Sequence, residues 1–193
     1  VAMGDVDDDG DLDAFVANYN QGNKVWINDG NGNFTDSGQS LGSSQTLKGS
    51  LGDVDDDGDL DAFVANHGNA NKVYINDGNG NFTDSGQSLG SSGSYPVDLG
   101  DVDGDGDLDA FVANRYQPNK VWINDGSGNF TDSGQSLGAS HSRDVDLGDV
   151  DDDGDLDALV SQGGKVWVND GSGTFTDSGQ SLGGGQSHGV ALG

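Results

Sequence analysis

Glutamate and cysteine are both absent from this 193-residue chain, and proline occurs only twice. Without cysteine there is no thiol nucleophile, although that absence does not fix the redox compartment. No apolar run approaches the roughly 20 residues that span a bilayer, so no membrane span is expected. Lys plus Arg number 7 against 34 acidic residues, giving a formal charge of −27. Phosphate backbones are held by lysine and arginine, so nucleic acid is excluded as a partner. Val1-Ala2-Met3-Gly4 lacks the basic start and apolar run of a signal peptide and does not read as a natural start. Apolar residues do not recur at helical spacing either. What the chain does have is aspartate and 35 glycines, and both recur with a period.

The recurring stretch is Asp5 to Asp13, D-V-D-D-D-G-D-L-D. Asp5, Asp7, Asp9 and Asp13 hold its positions 1, 3, 5 and 9, with Gly10 at position 6. That spacing suits a hard cation. Calcium takes about 6–8 oxygen ligands at roughly 2.3–2.6 Å, and a glycine permits the sharp bend. Asp11, at position 7, stands where such loops offer a backbone carbonyl, so its side chain is expected to face solvent. Carboxylates about 4 Å apart repel by roughly 4 kcal/mol per pair at an effective dielectric of 20, so the metal is expected to order the loop. The stretch returns at Asp53, Asp55, Asp57, Asp59 and Asp61, then at Asp101, Asp103, Asp105, Asp107 and Asp109. Its last copy is Asp149, Asp151, Asp153, Asp155 and Asp157. One copy reads as a solvated acidic turn, but four at a fixed period read as calcium sites, about one Ca2+ per repeat. Magnesium fits less well, because it prefers few carboxylates and retains its waters.

Gly4, Gly52, Gly100 and Gly148 open equivalent units 48 residues apart, the fourth shortened between Val160 and Lys165. Repeats of that length read as propeller blades or stacked arrays. Within the first unit, residues 1–6 read as a strand entering the loop and 12–18 as a strand leaving it. Residues 24–28 form a third strand, Asp29-Gly30-Asn31-Gly32 a turn, and 33–40 a weaker fourth strand. Apolar residues fall on both faces of the middle strands, as in sheets that stack face to face. Phe15, Phe63, Phe111 and Leu159 are read as packing between blades, as are Phe34, Phe82, Phe130 and Phe175. Trp26, Tyr74, Trp122 and Trp167 are read as core. The expected fold is therefore all-β: tandem four-stranded antiparallel blades of propeller type, four units of about 48 residues. The blades are expected at 1–51, 52–99, 100–147 and 148–189. Residues 190–193 repeat Val1-Ala2-Met3-Gly4 almost letter for letter and read as the first strand of a following blade. A closed ring has no use for a fifth entry strand, so a longer or open array is expected ahead of a closed four-bladed propeller.

D-x-D-x-D-G-x-x-D, then L-D-A-F-V-A-N, then N-K-V-W-I-N-D-G-N-G-N-F-T, closely resembles the FG-GAP/VCBS repeat family. Its members include the calcium-binding propeller blades of integrin α-subunits. The resemblance covers all four units. It implies four antiparallel strands per blade, with the cation in the hairpin loop between the first two. It also implies that Asp11, Asp59, Asp107 and Asp155 ligate through their carbonyls. The resemblance departs in blade number, since seven blades are common in the family. An EF-hand is excluded, because position 12 is Val16 where that loop needs glutamate.

Three classes of function follow. The first is a calcium-rigidified extracellular or cell-surface protein with a structural or adhesive role, able to form filaments with neighbouring copies or further repeats. Sites of modest affinity need extracellular calcium. Variable stretches, 19–22, 67–70, 115–118 and 161–163 together with 45–50, 93–98, 141–146 and 186–190, would meet cell-surface proteins or glycans. The second is a carbohydrate-binding lectin using Tyr19, Tyr95, Tyr116 and His141. The third, an enzyme, is disfavoured: His67, His141 and His188 share no repeat position and no nucleophile accompanies them. Asn33, Asn81 and Asn129 match the N-glycosylation pattern, though an asparagine placed for the turn explains them too.

Overall fold

A computed structural model of the chain describes residues 1–91, 93–138, 141–161, 164–183 and 188–192. Residues 162 and 163 of the shortened loop, 186 and 187 of the last variable stretch, and Gly193 lie outside the described residues.

Sixteen strands are described, four to a sheet. The first sheet holds β1 (Ala2–Gly4), β2 (Asp13–Val16), β3 (Lys24–Asn28) and β4 (Phe34–Asp36). The second holds β5 (Thr46–Gly52), β6 (Asp61–Asn66), β7 (Lys72–Asn76) and β8 (Phe82–Asp84). The third holds β9 (Ser94–Gly100), β10 (Asp109–Asn114), β11 (Lys120–Asn124) and β12 (Phe130–Asp132). The fourth holds β13 (Val145–Gly148), β14 (Asp157–Val160), β15 (Lys165–Asn169) and β16 (Phe175–Ser181). Every sheet is antiparallel, with strands in chain order. The register repeats: Ala14 faces Trp26, Ala62 faces Tyr74, Ala110 faces Trp122 and Ala158 faces Trp167.

The third strand of the first unit covers the residues expected. The others are shorter for local reasons. Val6 N donates to the Asp13 carboxylate at 3.0 Å rather than to a neighbouring strand, so β1 stops at Gly4. Just beyond β4, Gly38 takes φ +84°, and its N–H is capped by Asp36 Oδ1 at 2.8 Å. The second sheet begins at Thr46, so the repeated glycine at 52 closes an innermost strand rather than opening a blade.

The core is divided among the seams. Among the described residues there are three apolar clusters, each built from two successive sheets. Between the first two sheets, Phe15 meets Phe82 edge to face at 5.7 Å; Phe63 with Phe130 and Phe111 with Phe175 repeat the contact at 5.2 and 5.3 Å. The next sheet comes close at Gly52: a Cβ there would lie 2.8 Å from Leu108 Cδ1 and 3.1 Å from Leu99 Cδ1, so the leucines would have to shift to admit it. Polar groups also cross each seam. Gln39 Nε2 donates to Gly80 O at 2.6 Å while its Oε1 accepts from Phe82 N at 2.8 Å. Gln87 and Gln135 make the same pair of bonds one unit later. A single side chain thus imitates a strand edge.

Sheets pack first on second, second on third and third on fourth, and no comparable packing joins the fourth to the first among the described residues. The array is open. Its end faces are therefore half-made seams: Phe34 is 41% exposed where Phe82 is 6%, and Val150 is 40% exposed where Val54 is 1%. Val190 N and Leu192 N donate to Asp144 Oδ2 and Asp146 Oδ2, at 3.1 and 2.6 Å. Leu192 also lies over Gly148 in the way that Leu99 lies over Gly52.

Candidate metal sites in the aspartate loops

Each loop joins the first strand of a sheet to the second, and its two ends are tied by the aspartate at position 9. Asp13 Oδ2 accepts from Val6 N at 3.0 Å and its Oδ1 accepts from Asn28 N at 2.8 Å. Asp61, Asp109 and Asp157 repeat both bonds. All four are fully buried. Burial raises the pKa of Asp61 and of Asp109 to about 6, partly offset by the backbone donors, while nearby loop carboxylates push in the same direction as burial.

The remaining positions shape the bend. Asp5 Oδ2 accepts from Gly10 N at 2.9 Å, and Asp9 Oδ1 accepts from Asp11 N at 2.9 Å. Equivalent bonds close the other loops. Asp8, Asp56 and Asp152 adopt φ near +60°, a region that L residues enter at a cost, and the third loop relieves it with Gly104.

Carboxylate oxygens converge within 4.8 Å of one another in every loop: Asp5, Asp7 and Asp13; Asp53, Asp55 and Asp57; Asp101, Asp103 and Asp109; Asp149, Asp151 and Asp157. Positions 1 and 3 belong to every group. Position 9 completes three of them and position 5 the second, so Asp9, Asp105, Asp153 and Asp61 fall outside the groups. Asp7 Oδ1, Asp53 Oδ1, Asp55 Oδ1 and Asp103 Oδ1 are buried with no hydrogen-bond partner. Burial, and after it the neighbouring carboxylates, hold Asp7, Asp55, Asp103 and Asp151 above the usual carboxylate range. Desolvated, unpartnered, all-oxygen donors are what a hard divalent cation satisfies. The donor set fits calcium.

Asp11, Asp59, Asp107 and Asp155 turn away from the groups. Their carboxylates lie against Gly30, Gly78, Gly126 and Gly171 of the turn after the third strand, half-buried rather than free in solvent. Asn33, Asn81 and Asn129 are exposed, and their amides donate to Asp29, Asp77 and Asp125, closing the same turn and lowering those carboxylates' pKa.

Sequence reasoning passed over the asparagine that ends each third strand. Asn76 Nδ2 donates to Val6 O in the previous blade's loop at 2.8 Å, as Asn124 does to Val54 O and Asn169 to Val102 O, at 2.8 and 2.7 Å. The first three candidate sites are thereby each stapled to the next blade. The only signal was that the strand beginning K-V closes on N in every unit.

At the strand ends away from the loops, Arg115 gathers three of the variable-stretch rings. Its Nη1 donates to Tyr95 Oη at 2.9 Å, its Nε to His141 Nε2 at 2.6 Å, and its guanidinium lies 4.9 Å from the Tyr116 ring centroid. Desolvation, and then Arg115 and Arg143, hold His141 below the usual imidazole pKa, consistent with its acceptor role. Tyr19 stands apart, bridged to Gln45.

The FG-GAP-like repeat family model matches residues 5–51, 53–112 and 101–160. Among solved structures, the chain is similar to the V. cholerae biofilm matrix protein Bap1, with 15% identity and a TM-score of 0.47. That likeness covers 90% of this chain but 29% of the other, so the chain spans less than a third of that protein. No curated protein sequence matches the chain.

Proposed function

We infer the function from one premise: the chain belongs to the FG-GAP-like repeat family. The reading is a calcium-binding extracellular repeat protein whose work is structural and adhesive. The observation that carries it is the recurrence of buried carboxylate oxygens without partners in the loops. Positions 1, 3, 5 and 9 would supply side-chain ligands, and the position-7 residues their carbonyls. A bound cation would cancel the repulsion between these carboxylates and, through Asn76, Asn124 and Asn169, stiffen the seams. Half-made seams at Phe34 and Val150 fit further repeats or a second copy, the arrangement that builds a filament. Catalysis is not part of this reading, because ligands committed to calcium leave little room for a substrate.

Thermal melting with excess EGTA tests it. A ligand bound only by the folded state stabilises by about 2.7 kcal/mol at one hundred times its Kd, so four sites should lower Tm sharply when emptied. An unchanged Tm would refute the metal assignment. A second reading, carbohydrate recognition, is favoured by the gathering of Tyr95, Tyr116 and His141 around Arg115.

A further inference from the structure

Near the starts of the innermost strands, one repeat position lines a common hollow. Leu47, Tyr95 and Arg143 stand 48 residues apart, as do Lys48, Pro96 and Asp144. Together with His188 they line an open hollow of about 200 Å³. These residues belong to one of the two sets of stretches in which the units differ, so part of the variation is gathered on one wall. Tyr95 precedes Gly100 by five residues, which at about 3.4 Å per residue sets the hollow roughly 17 Å from the aspartate loops.

Charge is sorted to match. Lys24, Lys72, Lys120 and Lys165 are paired with Asp36, Asp84, Asp132 and Asp177 at 2.9–3.4 Å. Among the described residues Lys48, Arg115 and Arg143 have no such ion pair. Two of them line the hollow and the third bonds to its Tyr95 hydroxyl. Arg143 Nη1 also lies 2.8 Å from His188 Nε2. The acids nearby are engaged: Asp144 Oδ2 accepts from Val190 N, and Asp98 Oδ2 accepts from Leu147 N while Lys48 acts on it through space. On a chain of net charge −27, the three Lys and Arg side chains without an ion pair meet at one place.

We propose that this hollow binds the acidic unit of a carbohydrate, a hexuronic acid, with its carboxylate held by Arg143 and Lys48. The proposal rests on the second reading above, carbohydrate recognition, and gives it a site and a ligand class. A guanidinium fork matches a carboxylate in two parallel bonds, and the lysine adds a point charge. Tyr95 and Pro96 offer an apolar wall to the ring's C–H face, and His188 and Asp144 meet its hydroxyls. Pockets for drug-sized ligands run to about 300–1,000 Å³, so a hollow of this size takes one sugar unit.

Calorimetric titration of the calcium-loaded full chain with galacturonic acid, galactose and N-acetylaspartate tests this. The acid sugar should bind at least about tenfold more tightly than either of the others, as loss of a charge-assisted pair or of ring contact predicts. Arg143→Gln and Lys48→Gln should each weaken galacturonate by roughly tenfold, Arg143→Lys by less, and Lys24→Gln not at all. An unchanged Tm in the variants certifies their fold. Equal binding of galactose would overturn the proposal and leave carbohydrate recognition standing. Equal binding of N-acetylaspartate would make the hollow a simple carboxylate site and overturn it too. Binding of neither sugar would overturn both readings, while the EGTA melt decides the calcium reading separately.

Discussion

Phe82 and Phe34 hold the same place in their blades, within the same N-F-T-D-S-G-Q-S run, yet one is sealed and the other lies open. Val54 and Val150 differ in the same way at the opposite face. Local sequence makes the strand in both cases, but the neighbouring sheet makes the core. Stability in this molecule belongs to seams, and an inner blade has two where an end blade has one. That is the behaviour of a nearest-neighbour array, in which interface energies add along the stack.

The contrast can be broken most forcefully at the phenylalanines. Phe82→Ala should cost about 3–5 kcal/mol, since it empties a buried edge-to-face contact, whereas Phe34→Ala should stay within about 0.5 kcal/mol. Equal urea-denaturation losses for the two would mean that the first blade is covered in solution. The glutamines come next. Gln87→Ala strips Gly128 O and Phe130 N of their partner and should cost about 1–3 kcal/mol, against about 0.5 kcal/mol for Gln180→Ala at the end face.

A subtler contrast lies between metal states. Asp61 and Asp109 have folded-state pKa values of about 6, above the ordinary 3.8, so the folded, metal-free chain holds protons that the unfolded chain releases. Its stability should therefore rise as pH falls from 7 toward 4, and fall as pH rises through 6. Calcium binding as proposed would reverse the sign, because ligands must be deprotonated to bind. Melting at pH 7 and pH 5, in EGTA and in calcium, should give slopes of opposite sign. Parallel slopes would exclude Asp61 and Asp109 as groups linked to the metal.

Much of this was legible in the letters. The loop spacing, the K-V-W-I-N strand and the N-G turn each carry their own instructions within a dozen residues, and the period announced the stacking. What crosses a seam was not legible. Gln39 sits in a run that reads as low complexity, and its partners lie in the next unit at Gly80 and Phe82. Periodicity repeats such a residue faithfully but does not say whether it is bonded forward or merely inherited. The aspartates met the same limit. Position 9 reads as one ligand among four, and the structure shows it holding the loop's ends against the third strand. Position 7 looked solvent-facing, and the turn glycine drew its carboxylate inward.

Gln39, Gln87 and Gln135 all reach toward the following sheet. The stack therefore has polarity, like an arrow. One extremity offers a side-chain amide at Gln180, and the other offers main-chain groups at Gly32 and Phe34. On the proposed reading, a further unit would meet different chemistry at the tip than at the tail, so its addition should run at unequal rates at the two.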